Sequence, residues 1–239
     1  MGFLRYGGFM KTDPREFWEA KILDWEEGRY SKPNRRLSIM ERLANRSSMS
    51  LRFRTRITPE LLGPHLAGKR VIEVGCGSGL LAERIIRGGA AAYVGIDLAK
   101  TAIEAAQKRV GSVGGRVQFL AGDISRLGEQ TGDIVFSLGL LDWLTDDQLR
   151  NLFNLSGKAE FLHAIAEKRM SIQQLIHRSY VHMAYGHFSG GYKPRYFEAK
   201  LIRGLAAAAH DRPVYAYRDW RLSFGALISS FPIGPQIAP

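Results

Sequence analysis

Two kinds of hydrophobic pattern follow one another along the chain. Apolar residues recur at helical spacing over residues 13–30, where Asp13 and Pro14 are typical of a helix start. A second helical stretch is predicted from residue 37 to about residue 43. Over residues 51–57, apolar and polar residues alternate strictly, which is typical of a strand but equally compatible with one or two helical turns after a serine cap, and the pattern does not decide between them.

From residue 69 onward, short apolar strands alternate with amphipathic helices. The predicted strands cover residues 70–74, 91–96, 116–120, 133–138 and 159–164, and the predicted helices cover residues 80–87, 101–110 and 146–153. This alternation indicates an α/β fold with a doubly wound, Rossmann-like sheet.

The last third of the chain departs from that alternation. Its pattern predicts helices at 171–185 and 197–209 around a glycine-rich loop at 186–193, and a closing hairpin of strands at 214–217 and 222–229. We therefore expect a helical, basic extension over residues 1–68 on the substrate side. An α/β domain would follow over residues 69–239, with a cap inserted at about residues 166–210.

The composition bears on the cellular compartment of the protein. Cys76 is the single cysteine, so an intramolecular disulfide is impossible and a reducing compartment is favoured. The first eleven residues lack the apolar core of a signal peptide, and no apolar run is long enough to span a bilayer. We therefore expect a soluble, cytoplasmic protein.

The formal net charge is +11, and the positive charge lies on the two flanks, while residues 71–157 are slightly acidic. A basic surface attracts polyanions, anionic lipid head groups or acidic small substrates. A solvated basic face without a partner is the alternative.

Three glycines follow the first strand of the α/β domain. Gly75, Gly77 and Gly79 have the spacing G-x-G-x-G, whereas the dinucleotide fingerprint needs its third glycine one residue later. Asp97 ends the next strand, where a carboxylate can hold both hydroxyls of a ribose, and Asp123 ends the third strand. Together these residues indicate a cofactor site much more strongly than the glycine-rich loop alone.

The same residues resemble the motifs of class I S-adenosylmethionine-dependent methyltransferases. Residues 73–79 resemble the first motif of that family, residues 95–98 the second, residues 121–124 the motif that contacts adenine, and residues 133–141 the strand that borders the active site. The resemblance implies a seven-stranded sheet that closes with an antiparallel hairpin, and S-adenosylmethionine as the cofactor.

The resemblance also assigns roles in binding. Gly75 and Gly77 would pack against the methionine part, Asp97 would bind the ribose, and Asp123 with Ile124 would frame the adenine. Glu73 would orient the loop or the amino group. The full expected set is Glu73, Gly75, Cys76, Gly77, Gly79, Asp97, Leu98, Gly122, Asp123, Ile124, Ser137 and Leu138. Tight turns for the glycines, helix capping for the aspartates and simple packing for Cys76 are the alternatives.

Methyl transfer from a sulfonium needs alignment and exclusion of water, and a hydroxyl or amine acceptor also needs a base. Asp142 lies just past the fourth strand, although it would also suit a cap of the helix that begins near Thr145. His163 ends the fifth strand, where a packed core residue is the alternative. No metal is expected, because His163 and the histidines at 177, 182 and 187 lack metal-ligand spacing.

The segment after the fifth strand supplies the expected substrate side. Residues 167–180 form a basic amphipathic pattern that would stand over the cofactor, and Tyr30 and Tyr192 would flank the entrance. With Arg218 and Phe224, this layout resembles that of magnesium-protoporphyrin O-methyltransferases.

These features favour methylation of a small or lipid-linked, acidic acceptor at oxygen. One alternative is an RNA methyltransferase, since the basic flanks would suit a nucleic-acid partner. Against it, Ser137 begins the sequence Ser-Leu-Gly-Leu, where many amino-methylating nucleic-acid enzymes have Asn/Asp-Pro-Pro-Tyr/Phe. A cofactor-binding subunit without catalysis, in peripheral contact with a membrane, is the other alternative.

Overall fold

Two long helices precede the sheet. The structure, a computed structural model, describes residues 13–30, 39–110, 115–169, 174–175, 192–210 and 212–234. Helix α1 spans Pro14–Tyr30 and helix α2 spans Ile39–Leu62.

Strands and helices then alternate as the sequence predicts. The elements are β1 (Arg70–Val74), α3 (Ala82–Arg87), β2 (Ala92–Asp97), α4 (Lys100–Arg109), β3 (Val117–Ala121), β4 (Ile134–Ser137), α5 (Asp146–Ser156), β5 (Glu160–Ala166), α6 (Ala199–His210), β6 (Tyr215–Tyr217) and β7 (Gly225–Ser229). Their order in the sheet is β3-β2-β1-β4-β5-β7-β6. The first five strands are parallel, and β7 runs antiparallel to both β5 and β6. The predicted Rossmann-like fold and its closing hairpin are confirmed.

The order of the strands reverses direction between β1 and β4. Val71 of β1 is in register with Tyr93 of β2 on one side and with Ile134 of β4 on the other. Ligands of open α/β sheets bind at such a switch point, beyond the carboxyl ends of the strands. The fold therefore brings the loops that follow β1, β2 and β4 to one edge, which we call the carboxyl edge.

Helices cover both faces of the central strands. The four residues of β4 are all buried, as are residues 71–74 of β1, because a parallel sheet between two helical layers has no solvated face. One apolar layer contains Val94, Phe153 and Ile165, and the opposite layer contains Ile85, Phe136 and Leu162.

Helix α2 decides between the strand and the helical interpretation of residues 51–57. The helix runs without interruption through this alternating stretch. Its buried residues Arg54, Thr58 and Leu62 recur every four positions, which is helical spacing. The alternation of arginines with apolar residues therefore reflects a helix packed against the sheet, and Arg54 points inward.

The closing hairpin differs from the prediction in one detail. Leu222 lies in a short 3-10 turn, Trp220–Leu222, and β7 begins three residues later at Gly225. Asp219 caps the turn, since its carboxylate accepts a hydrogen bond of 2.8 Å from the amide of Arg221.

The cap is only partly within the described residues. Helix α6 confirms the helix predicted at 197–209. The helix predicted at 171–185 and the glycine-rich loop at 186–193 fall largely on residues 170–173 and 176–191, which lie outside the described residues. Within the part of the chain that the structure describes, no helix is long and apolar enough to cross a membrane.

Candidate functional site

The loop after β1, residues 75–79, is the centre of the carboxyl edge; we call it the glycine loop. The amides of Gly75 and Cys76 donate to the carbonyl of Ile96 at 2.7 and 3.1 Å, which fastens the loop to the end of β2. Gly77 and Gly79 have φ angles of 53° and 68°, in the left-handed region that favours glycine. A Cβ at Gly79 would also lie 2.7 Å from the Phe119 ring. The glycine spacing therefore has a conformational and a packing cause.

Asp97, at the end of β2, is joined directly to this loop. One carboxylate oxygen accepts from the amide of Gly77 at 2.8 Å, and the other accepts from the amide of Ala99 at 2.9 Å. Burial raises the pKa of Asp97, while the amide hydrogen bonds oppose that rise. Leu98 follows at the edge, with its carbonyl 3.4 Å from the Arg15 guanidinium.

Glu73 and Cys76 lie beneath the loop rather than facing solvent. The Tyr93 hydroxyl donates to the Glu73 carboxyl group. Burial, reinforced by Glu26 and Asp97, raises the pKa of Glu73 to about 8 against the opposing Tyr93 hydrogen bond, so this group is protonated at neutral pH. Burial also raises the pKa of the Cys76 thiol, which suits packing rather than nucleophilic chemistry.

Asp123 ends β3 and caps the following 3-10 helix, Ile124–Glu129. Its carboxylate accepts from the amide and the hydroxyl of Ser125 at 2.9 and 2.5 Å, and these bonds lower its pKa. The amide of Gly122 donates to the carbonyl of Asp97 at 2.8 Å, so the β3 turn adjoins the β2 turn. The capping alternative describes Asp123 in this structure, and an adenine contact would be an added role.

Ser137 and His163 form a pair inside the sheet. The Ser137 hydroxyl and His163 Nδ1 are 2.9 Å apart, and both side chains are fully buried. The imidazole stacks on the Phe161 ring at a centroid distance of 5.5 Å. This geometry matches the core alternative for His163.

Asp142 lies closer to the glycine loop. Leu140 packs against Gly75, where a Cβ would be 3.2 Å from that of Leu140, and Asp142 follows two residues later. Asp142 is 9% exposed, and one carboxylate oxygen accepts from the amide of Ala166 at 2.8 Å. Burial raises its pKa to about 6, against the Ala166 hydrogen bond and the charge of Arg54.

The helix-cap alternative for Asp142 is wrong. Thr145 is the N-cap of α5 and forms a capping box with Gln148. Asp142 instead belongs to the 3-10 turn Leu141–Trp143 that precedes α5. Its carboxylate is therefore not committed to the helix.

Arg54 is a site residue that the sequence pattern did not reveal. This guanidinium is 9% exposed, and among the described residues neither its Nε nor its Nη2 has a hydrogen-bond partner. A Cβ at Gly139, which follows β4 closely, would lie 2.8 Å from Nη2. A buried, unsatisfied guanidinium at this position is suited to bind a carboxylate. The strand interpretation of residues 51–57 gave no signal that Arg54 turns inward.

Four aromatic rings meet beside the 3-10 turn that holds Asp142. This aromatic cluster consists of Phe17 and Trp18 of α1, Trp143, and Tyr192. The Trp18 and Trp143 rings are 4.8 Å apart, the Trp143 and Tyr192 rings are 5.0 Å apart, and the Trp18 indole donates to the Tyr192 hydroxyl at 3.2 Å. Tyr192 thus belongs to this cluster, whereas the Tyr30 side chain lies outside the described part.

The structure therefore divides the predicted site residues into groups. The glycine loop, Glu73, Asp97 and the turn at Gly122 adjoin one another, and Leu140 connects Asp142 to the same loop. Ser137 and His163 pair below the edge. Among the described residues, no group of histidine, cysteine and acidic side chains is arranged to hold a metal.

A Rossmann-like sheet with this strand order, a glycine loop after β1 and an acidic residue ending β2 define the class I methyltransferase fold. Residues 71–156 match the family described as "Methyltransferase domain". Residues 71–156 thus carry a methyltransferase domain of the class I, S-adenosylmethionine-dependent type, as the motifs of the sequence predict.

Individual relatives agree with this family. A ubiquinone biosynthesis O-methyltransferase of Neisseria meningitidis is 55% identical over 42 residues, which are 18% of each chain. A ribosomal protein L11 methyltransferase of Erwinia tasmaniensis is 51% identical over 45 residues, 19% of this chain and 15% of the relative. The chain thus spans less than a fifth of the length of these curated relatives, and their names differ in the acceptor.

A solved structure matches over far more of the chain. Magnesium protoporphyrin IX methyltransferase from Synechocystis PCC 6803, with bound S-adenosylhomocysteine, has a TM-score of 0.67 and 17% identity. The match covers 90% of this chain and 96% of the other. At that identity the likeness establishes the shared fold.

Proposed function

We propose that the protein transfers a methyl group from S-adenosylmethionine to an oxygen atom of a small or lipid-linked, acidic acceptor that contains a planar ring. The observation that carries this proposal is the position of Asp142, between the glycine loop on one side and the aromatic cluster on the other. A base and a ring-binding surface thus lie beside the place where the fold family holds its methyl donor.

The residues of the carboxyl edge fit the cofactor. Gly77 opens a space that a Cβ would fill, so a ligand can approach the backbone of the loop there. We assign the ribose hydroxyls to Asp97, the adenine to the turn of Gly122, Asp123 and Ile124 with Leu98 beside it, and the methionine carboxylate to Arg54. Gly75, Gly79, Cys76, Glu73, Ser137 and Leu138 shape the surroundings of these groups.

The cofactor, when bound, supplies an electrophilic methyl group on a sulfonium. The residues of the chain align the acceptor, exclude water and manage one proton. Asp142, which is a carboxylate above about pH 6, would accept the proton of an acceptor hydroxyl as the methyl group passes from sulfur to that oxygen, with the sulfonium becoming a neutral thioether. A carboxylate acceptor needs no such step. His163 is not part of this proposal, because its ring is enclosed by the core.

The choice of acceptor rests on two further observations. Flat aromatic side chains bind planar rings by stacking and edge contacts, and three rings of the aromatic cluster, those of Trp18, Trp143 and Tyr192, are partly exposed. The net charge of +11, concentrated on the flanks, favours an acidic molecule. The names of the O-methyltransferase relative and of the protoporphyrin methyltransferase support an oxygen atom and a ring compound.

The proposal also covers the domain organisation and the cellular location of the protein. Residues 1–68 form the substrate-side extension, since α1 supplies two rings of the aromatic cluster. Residues 69–239 form the methyltransferase domain with its cap. A cytoplasmic location suits a chain whose one cysteine is buried and reduced.

Methyl transfer from radiolabelled S-adenosylmethionine tests the proposal. The panel contains hydroxylated aromatic acids with and without an isoprenoid tail, porphyrin carboxylic acids, and total RNA. We expect label on oxygen in an acidic ring compound. Label in RNA alone would favour the RNA alternative, and cofactor binding without transfer to any acceptor would favour the non-catalytic alternative.

A further inference from the structure

Helix α1 lies across the carboxyl edge of the sheet. The carboxylate of Glu19 accepts from the amides of Lys100 and Thr101 at 2.6 and 3.1 Å, and so caps the first turn of α4 from a distant part of the chain. One turn further along α1, Ile22 packs against Ala99 and Ala102. These contacts hold α1 over the end of β2, where the ribose of the cofactor is assigned.

Another turn along, Glu26 reaches the glycine loop. Its Oε1 accepts from the amide of Ser78 at 3.0 Å. The same oxygen lies 2.0 Å from the position that a Cβ at Gly77 would take. The carboxylate of Glu26 therefore occupies the space that Gly77 opens, and it uses a backbone amide of the loop that would otherwise face a ligand.

This contact brings negative charges together. Glu26 adds to the main effect of burial in raising the pKa of both Asp97 and Glu73. A charged hydrogen bond to Ser78 favours the contact, while repulsion from the Asp97 carboxylate opposes it. Opposing contributions of this kind leave a contact that a competing ligand can displace.

We infer that α1 is a self-occluding lid: the Glu26 carboxylate fills part of the cofactor site, and the cofactor binds only after Glu26 has left the glycine loop. This inference rests on the cofactor site assigned above. The apparent affinity for the cofactor is then the affinity of the open form multiplied by the fraction of molecules in which the lid is open.

The lid spans both halves of the site. Phe17 and Trp18 of the same helix belong to the aromatic cluster on the acceptor side. Movement of α1 away from the glycine loop therefore also loosens the packing of these rings.

Glu26→Ala and Glu27→Ala form a matched pair of variants for the test. The substitutions are adjacent on α1 and remove the same side chain, but Glu27 is exposed to solvent. Both substitutions replace glutamate by alanine within α1, so they change the helix propensity by the same small amount. Binding of S-adenosylhomocysteine to the full-length protein is measured by calorimetry, and its association rate by stopped-flow fluorescence.

We expect Glu26→Ala to bind about fivefold more tightly than wild type, with the gain in the association rate, if the closed lid is the main form. Glu27→Ala should stay within about twofold of wild type. Equal or weaker binding by Glu26→Ala would overturn the lid, because Glu26 would then be neutral or a cofactor ligand. Absence of binding by all three proteins would instead overturn the cofactor assignment, and the inference with it.

Hydrogen exchange gives a second readout that does not depend on affinity. The backbone amides of residues 14–30 should exchange faster in wild type after S-adenosylhomocysteine is added, because α1 leaves its contacts. Slower exchange of these amides on binding would contradict displacement of the lid.

Discussion

At the scale of single residues, Asp142 has the properties that proton transfer to a carboxylate requires. It is buried, adjacent to the glycine loop through Leu140, and its pKa of about 6 lies near physiological pH. The hydrogen bond from the Ala166 amide fixes its position, and an asparagine can still accept that bond. The proton-accepting role and the structural role can therefore be separated by one substitution.

Asp142→Asn is expected to lower kcat/KM for a hydroxyl acceptor by about a hundredfold or more, the usual contribution of a general base. Because a base acts in its deprotonated form, wild-type activity should fall as the pH drops through about 6, and the variant should lack that limb. Initial rates from pH 5 to 8 measure both effects.

Asp147→Asn, at an exposed position on α5, is the control and should leave the profile unchanged. An Asp142→Asn variant with wild-type rate and profile would reduce Asp142 to its structural role.

At the scale of elements, the acceptor surface is assembled from parts that are distant in sequence. Helix α1 contributes Phe17 and Trp18, the turn after β4 contributes Trp143, and the segment before α6 contributes Tyr192. No single element can bind a planar ring alone. Acceptor affinity should therefore depend on this cluster, and Trp143, which lies outside α1, can be replaced without changing the helix that contacts the glycine loop.

Trp143→Ala is expected to raise the KM for a ring-containing acceptor about tenfold, since stacking and apolar contact are both lost. The Kd for S-adenosylhomocysteine should stay within about twofold. Trp220→Ala is the matched control, because Trp220 is 79% exposed and outside the cluster. An unchanged KM in Trp143→Ala would remove the cluster from the acceptor site.

Local sequence patterns predicted the elements of the sheet well and their mutual placement less well. The strands β1 to β5 fall within two residues of their predicted bounds, because buried parallel strands are continuous apolar runs between turn residues. Residues 51–57 could not be assigned from the sequence, because arginines alternating with apolar residues fit period two as well as they fit a helix packed on one side, and the structure shows the helix.

In the candidate site, too, local features could be predicted from the sequence, whereas contacts between distant elements could not. Gly77 and Asp97 could be predicted because their roles depend on neighbouring backbone. The inward turn of Arg54 and the reach of Glu26 depend on how α1 and α2 pack on the sheet, which local periodicity does not encode. The position of Asp142 was predictable, but its freedom from the helix cap became evident only from the Thr145 capping box.

At the scale of the whole molecule, the cofactor site and the proposed base both lie at the carboxyl edge of the sheet. The switch point between β1 and β4 brings together the glycine loop, Asp97 and Asp142. Helices α1 and α2 come from the basic N-terminal flank and cover this edge. The positive charge of the flanks thus suits attraction of an acidic acceptor. The acidic groups in the centre of the chain suit a cofactor that carries a positive charge.

The most direct measurement is calorimetric titration of wild type and Asp97→Asn with S-adenosylhomocysteine, with the exposed Glu104→Gln of α4 as control. We expect a Kd in the micromolar range for wild type and for the control. Asp97→Asn should bind at least about tenfold more weakly, because an amide replaces one of the two acceptor oxygens offered to the ribose. Absence of binding to wild type, or equal binding by Asp97→Asn, would contradict the placement of the cofactor at this edge.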